Sequence, residues 1–379
     1  MAKSVVRKVE TTIADYPRSL DKRLEQIQFM MQDNKIHCMV LSSLANIRYM
    51  TNYSGSSALL FIFPEEMHLV TDDRYEEQVK TEIYPLPNLS IHISRTPWHY
   101  MVENKIFKKI DTLGFEAEVM PYSEAVDIRN IIRPLKFKPL PSEVEPFMRA
   151  KTPEEIEYIK QSCNLSVAVY EAMLPKIKAG MSEKELADEL VFTARRMGSE
   201  SDPFVPLVLS GHRCALPHGM PSSEKKIKKN DIIIMDFGCK INGFGSDITR
   251  TFCYGKPTKE QKTMYELVKK AQMAAINNIR PGIKGAVLDG FARRIIADEG
   301  YGAYFQHGLG HGLGLSPHEK PSISFRLEDS IVPEDCVVAI EPGVYFVDKY
   351  GIRIEDNVLV TRTGPIMLTQ SPDTLISIG

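Results

Sequence analysis

Four carboxylates and one imidazole in the C-terminal part of this 379-residue chain have the types and spacing for metal chemistry: Asp236, Asp247, Glu341, Glu355 and His311. They sit in apolar runs or beside glycine-lined turns, within IIIMDFG, SDITRTF, GLGHGLG, VVAIEPG and IRIEDNVLVT. A carboxylate in such surroundings is costly unless a cation accompanies it. Too little positive charge lies nearby to match four carboxylates, so bound metal is the economical explanation. Oxygen-rich ligation with one imidazole suits Mn, Co, Fe or Zn. Four carboxylates exceed what one ion needs and point to a two-metal centre.

The order of these segments suggests how they meet. IIIMDFG reads as a buried strand ending in Asp236, INGFG as a turn, and SDITRTF as the return carrying Asp247. A hairpin folding near Asn242–Gly243 brings both aspartates to one face. VVAIEPG, VDKYG and IRIEDNVLVT repeat the plan with Glu341 and Glu355. A lone carboxylate in a strand is more simply a satisfied core hydrogen bond, but two pairs and a histidine together favour metal. His307, His311 and His318 lie in QHGLGHGLGLSPHEKP, where Gly308, Gly310, Gly312 and Gly314 let backbone and imidazole approach a ligand closely. The plain alternative is a flexible or phosphate-binding glycine loop, but the order fits neither GxGxxG nor the Walker pattern. His218, in ALPHGM, is a further candidate. No GxSxG elbow and no HExxH helix is present.

The elements that must hold these residues fall into two regions. Residues 17–133 alternate helical and apolar strand patterns (LDKRLEQIQFMMQ, CMVL, ALLFIF, MHLVT, RYEEQVKTEI), which argues for a small α/β domain over 1–140. The proline-rich stretch 134–146 reads as a linker or boundary. A second domain, 150–379, opens at Thr152-Pro153-Glu154-Glu155, a capping box with proline at the first helical position. Ser182–Glu185 and Thr258–Gln261 repeat the box. IKAGM at 177–181 and IRPGI at 279–283 each precede a helix with paired arginines, a faint internal repeat. Each half is then two helices followed by a strand pair with two carboxylates.

Composition narrows the partners. A net charge of -2 gives no reason to expect nucleic acid or an acidic membrane. No run of about 18 apolar residues spans a membrane, and the first 17 residues lack a signal peptide's apolar core. The six cysteines are dispersed, without CxxC, and read as reduced thiols of a cytoplasmic protein.

The strings SGHRCALPHG, IMDFGCKINGFGSDITRTF, HGLGHGLGLSPHE, IEPGVYF and GIRIEDNVLVT together resemble the M24 pita-bread metallopeptidases, the Xaa-Pro aminopeptidases and prolidases. The resemblance is strong over 150–379 and weaker in the N-terminal domain, through NIRYMTNYSGSSALLFI and LVTDDRYEEQ. It implies an α/β (α+β) architecture: a small creatinase-like N-terminal domain, then a pita-bread domain with a pseudo-two-fold repeat. It implies two divalent ions, Mn by choice with Co or Zn as substitutes, held by Asp236, Asp247, His311, Glu341 and Glu355. A water they activate attacks the Xaa–Pro carbonyl, and Glu341 shuttles its proton to the proline nitrogen. His218 and His318 are then expected to contact substrate and oxyanion, His307 to line the proline side, Arg353 to hold ligand carboxylates, and Tyr345 to supply a hydroxyl. Proline-containing peptides are the expected partners and a homodimer the expected assembly. The expected activity is Xaa-Pro aminopeptidase. The alternatives are a prolidase, restricted to dipeptides, and a catalytically silent binding protein. A dipeptidase needs a cation for the proline carboxylate. RTPWHY, with Arg95, Trp98 and His99, is a candidate for closing that end, although it reads first as an amphipathic surface turn.

Overall fold

The structure is a computed structural model that describes residues 19–86, 88–140 and 144–379. The N-terminal stretch read as lacking a signal peptide's core, and part of the proline-rich 134–146, lie outside those residues. Contacts divide the chain after Met148 into two units.

In the first unit, short β-branched and aromatic runs form strands and amphipathic stretches form helices. The order is α1 (Ser19–Asp33), β1 (Cys38–Leu41), α2 (Leu44–Thr51), β2 (Ala58–Ile62), β3 (Met67–Thr71), α3 (Gln78–Glu82) and β4 (Leu89–Ile93). Then come α4 (Pro97–Glu103), β5 (Thr112–Glu116), α5 (Tyr122–Ile131), β6 (Lys136–Leu140) and α6 (Glu145–Met148). The strands make one sheet in the order β4-β3-β2-β1-β5-β6, with β1, β5 and β6 mutually parallel.

Three sequence expectations are corrected here. RYEEQVKTEI is not one helix but a 3-10 turn, Asp73–Tyr75, followed by the short α3. Asp72 accepts the Arg74 N–H at 3.0 Å and pairs with the Arg74 guanidinium, fixing a local turn in place of a continuous helix. The supposed linker contains β6, a sheet edge that tolerates Pro139 because an edge strand leaves one side unpaired. RTPWHY is no surface turn. Pro97 starts α4, and Trp98 is buried edge-on against Phe61 at 5.2 Å.

The second unit opens with α7 (Pro153–Met173) and α8 (Glu183–Arg196). Next come β7 (Leu207–Ser210), β8 (Asp231–Phe237), β9 (Lys240–Ile241), β10 (Phe244–Gly245) and β11 (Ile248–Tyr254). The second half follows with α9 (Lys259–Asn278), α10 (Gly285–Asp298), β12 (Gly310–Gly312), β13 (Glu319–Ile323) and β14 (Val337–Ile340). It ends with β15 (Gly343–Phe346), β16 (Tyr350–Arg353), β17 (Asp356–Thr361), β18 (Gly364–Met367) and β19 (Ser377–Ile378). Capping boxes form at Thr152, Ser182 and Thr258, starting α7, α8 and α9 where the sequence places them. Each is worth about 1 kcal/mol of helix stability.

The two halves share one plan. α7 and α8 pack on β7, β8 and β11, while α9 and α10 pack on the strands of the second half. In each half a long antiparallel pair is interrupted by a small hairpin. β8 and β11 pair from Asp231 to Phe237, with the β9–β10 hairpin beyond them. β14 and β17 pair up to Ile340 and Asp356, with the β15–β16 hairpin beyond. The first small hairpin turns at Asn242 and Gly243, both with positive φ. No described helix is long and apolar enough to cross a membrane, and the six cysteines are buried free thiols.

Candidate metal centre

The carboxylates lie where the long strand pairs break into small hairpins. Asp236 is in β8 opposite Thr249 of β11, and Asp247 directly precedes β11 on the same face as Thr249. Glu341 follows β14, and Glu355 precedes β17, just past the Ile340–Asp356 pair. The Glu355 N–H donates to the Thr249 carbonyl at 3.2 Å, joining the halves at the site itself. His311 is the centre of β12, opposite Ala339 of β14. A Cβ at Gly310 or Gly312 would run into the Ala339 or Lys320 carbonyl, so only glycine lets these strands close around His311.

The sequence-predicted residues come together. Asp236, Asp247, His311, Glu341, Glu355, His218, His307, His318 and Arg353 line one cavity of about 410 Å³. Tyr345 stands behind it, bonded to His307 and Arg353. Asp247, His311 and Glu355 each offer a ligand atom, and these atoms lie within 4.8 Å of one another. His311 Nε2 is 3.8 Å from Asp247 and 3.9 Å from Glu341.

The electrostatics describe a site short of positive charge. Burial and then the Glu355 charge push the Asp247 carboxyl well above its usual range. Burial and Glu355 do the same to Glu341. Burial and then Asp236 raise Glu355 to about 8. Arg353 is the cation inside the cluster. It donates to Asp236 Oδ2 at 2.5 Å, to the Tyr345 hydroxyl and the Pro217 carbonyl at 3.0 Å, and to Thr249 Oγ1 at 3.1 Å. The other nearby arginine, Arg250, is committed to Asp356 at 2.9 Å. Asp247 Oδ1 is buried with no hydrogen-bond partner among the described residues. A buried orphan oxygen amid unbalanced carboxylates is what divalent ions would satisfy, so these residues fit such ions.

The imidazoles are set as neutral acceptors. His311 Nδ1 faces the Gly312 carbonyl at 3.0 Å, an acceptor only, so Nδ1 carries the proton and Nε2 offers a lone pair to the cluster. Burial, then His318, lowers its pKa to about 4. By the same logic His307 Nδ1 donates to the Gly308 carbonyl at 2.7 Å, and Nε2 accepts from the Tyr345 hydroxyl at 2.9 Å. Burial, then Arg353, lowers His307 to about 3. His218 and His318 are exposed at the cavity mouth, and the His318 ring lies 4.3 Å from that of His311.

Several contributors escaped sequence reasoning. Phe204, Val205, Leu207 and Leu327 form apolar wall. The Asn357 side chain brackets the Asp247 peptide: Nδ2 donates to its carbonyl at 2.6 Å and Oδ1 accepts its N–H at 3.0 Å. The only signal was the polar run EDN inside an apolar strand. A larger cavity of about 770 Å³ belongs to the first unit, but its Arg74 and Arg95 are already paired with Asp72 and Asp73, so we assign it no chemistry.

Known proteins with these features converge. The family model of metallopeptidase family M24 matches residues 157–362, and that of the creatinase/prolidase N-terminal domain matches residues 23–147. An Xaa-Pro dipeptidase of Pyrococcus furiosus is 34% identical over 361 residues, covering 94% of this chain and 100% of that protein. The solved Xaa-Pro dipeptidase from Bacillus anthracis superposes with a TM-score of 0.88 at 33% identity, covering 95% of this chain and 100% of the other. The X-Pro aminopeptidase from Thermotoga maritima MSB8 superposes with a TM-score of 0.85 at 34% identity, covering 94% and 99%.

Proposed function

The chain belongs to metallopeptidase family M24, and on that premise we propose that it is an Xaa-Pro dipeptidase, releasing proline from dipeptides. The observation that carries the peptidase reading is the cluster of buried carboxylates around His311, with the orphaned Asp247 oxygen. The dipeptidase reading replaces the aminopeptidase expected from sequence. It is favoured by the dipeptidase and prolidase names of the Pyrococcus relatives and of a Bacillus anthracis structure, which outnumber the aminopeptidases. It also accords with a cavity at the small end of ligand sites. A dipeptide's carboxylate needs a cation. Arg326 offers one: it is exposed, lies in the segment between the lining residues Ser324 and Leu327, and is bonded to the Gln306 carbonyl at 3.2 Å with its guanidinium over the Phe325 ring.

Asp236, Asp247, His311, Glu341 and Glu355 would hold two divalent ions, Mn by the oxygen-rich donor set. When bound, the ions supply a water acidic enough to attack at neutral pH and polarise the scissile carbonyl. Around them the chain's own groups act. A Glu341 carboxylate oxygen accepts the water's proton as the new C–O bond forms, then delivers it to the proline nitrogen as the C–N bond breaks. His218 and His318, at the mouth, donate to the developing oxyanion. Tyr345 and His307 form a hydrogen-bonded pair that keeps Arg353 aimed at Asp236. The apolar wall at Phe204, Val205 and Leu207 packs the substrate and excludes water. A homodimer, and a reducing cytoplasmic setting for six free cysteines, complete the reading.

The test is hydrolysis of Ala-Pro against Ala-Pro-Ala by Mn-loaded protein. Cleavage of Ala-Pro alone is expected, with KM raised about tenfold or more in Arg326→Ala. Cleavage of the tripeptide at its Ala–Pro bond would restore the aminopeptidase. No cleavage of either peptide with metal bound would leave the binding protein.

A further inference from the structure

Residues 210–222 leave the end of β7 and carry Pro217 and His218 to the cavity, with only the 3-10 turn Gly211–Ala215 as regular structure. One carboxylate governs this loop. Glu183, the first residue of α8, is fully buried. Its Oε1 accepts the Ser210 N–H at 2.7 Å and the Ser210 hydroxyl at 3.1 Å. Its Oε2 accepts Arg213 Nε at 2.9 Å and the Ser222 N–H at 3.0 Å. The start, the first turn and the end of the loop therefore converge on one side chain. Arg213 extends the restraint by donating Nη2 to the Met220 carbonyl at 2.6 Å. From the other side Arg353 donates to the Pro217 carbonyl at 3.0 Å.

Glu183 is not spent on its own helix. Ser182 and Glu185 form the capping box of α8, and the four hydrogen bonds above all run to the loop. Two of the loop's peptide N–H groups and one arginine would lose buried partners without it. The exposed His218 imidazole depends on this scaffold for its place over the cavity.

We infer that Glu183 is a positioning residue for His218, fixing where that imidazole meets the substrate; the inference rests on the peptidase reading above. The experiment pairs Glu183→Gln with His218→Ala and the double variant in Mn-loaded protein. Gln keeps the shape but turns an amide N–H toward at least one donor. Amide hydrogen exchange over residues 211–221 is expected to rise about tenfold in Glu183→Gln, with β8 unchanged. Its kcat/KM for Ala-Pro is expected to fall roughly 10- to 100-fold, the cost of misplacing a substrate-contacting group. In the His218→Ala background the same change is expected to cost under about twofold, because the shared function is already gone. Unchanged exchange, or an equal loss in both backgrounds, overturns the inference. If the wild-type protein cleaves neither Ala-Pro nor Ala-Pro-Ala, the peptidase reading fails. The positioning of His218 for substrate then falls with it, while exchange still reports whether Glu183 orders the loop.

Discussion

The first unit contains a buried histidine pair that makes its stability depend on pH. His68 in β3, opposite Ser90, and His92 in β4, opposite Val70, are diagonal neighbours in the sheet, with Nδ1 of His68 2.8 Å from Nε2 of His92. His92 Nδ1 is 3.0 Å from the Tyr100 hydroxyl on α4. Glu66 lies 3.6 Å from His68, and the Phe63 ring packs edge-on against it. Burial, then the neighbouring His68, holds His92 at about 4, and burial lowers His68 too. In the unfolded chain a histidine titrates near 6.5. The folded pKa is depressed, so the unfolded state binds the proton first. The pair's contribution is full above about pH 6.5 and is lost as pH falls toward 4. For His92 alone, moving from pH 7.5 to 5 costs about 2 kcal/mol, or roughly thirtyfold in the opening equilibrium. The assay is hydrogen exchange of β3 and β4 amides at both pH values, corrected for intrinsic rates, in wild type and His92→Gln. Groups outside the pair titrate alike in both proteins and cancel. Wild type should lose about thirtyfold more protection than the variant. Equal losses would refute the reasoning, because His92 would then carry no proton linkage.

Two further outcomes follow from the metal cluster. Adding Mn to chelator-stripped protein should raise the melting temperature, since an ion bound only by the folded state at 100 times its Kd stabilises by about 2.7 kcal/mol; Asp247→Asn should abolish most of that shift, and a variant that shifts as far as wild type would remove Asp247 from the site. Arg353→Lys should weaken Mn binding about tenfold or more in calorimetry, because one ammonium cannot reproduce bonds to Asp236, Tyr345, Pro217 and Thr249 together, and unaltered affinity would show that the guanidinium does not orient the cluster.

What could be read from the chain alone was what local chemistry encodes. Thr152, Ser182 and Thr258 announce their helices because a capping box is complete within four residues. The Asn242–Gly243 turn and the carboxylates in apolar strands are legible for the same reason. Trp98 and Pro139 misled. A tryptophan between Pro97 and His99, and a proline between Lys138 and Leu140, look exposed until a sheet is laid beneath one and beside the other. The supporting residues were illegible for a different reason. Asn357 meets the Asp247 peptide, and Glu183 meets Ser222, across separations that no local period reports.

That division has a consequence for how activity and specificity are encoded. The carboxylates are fixed by strand register: Asp236 by its pairing with Thr249, Glu355 by its N–H on the Thr249 carbonyl, Glu341 by its N–H on the Leu309 carbonyl. Shifting one of these strands by a residue would turn its carboxylate to the opposite face, so the metal chemistry is bound to the fold itself. His218 and Arg326 are placed instead by loops whose geometry rests on a few side-chain bonds, at Glu183 for one and at Ser324 and Gln306 for the other. Loops of this kind change without disturbing the sheet. On the proposed assignment, a dipeptidase and an aminopeptidase built on this fold are therefore expected to differ in the loop residues around the mouth rather than in the carboxylates.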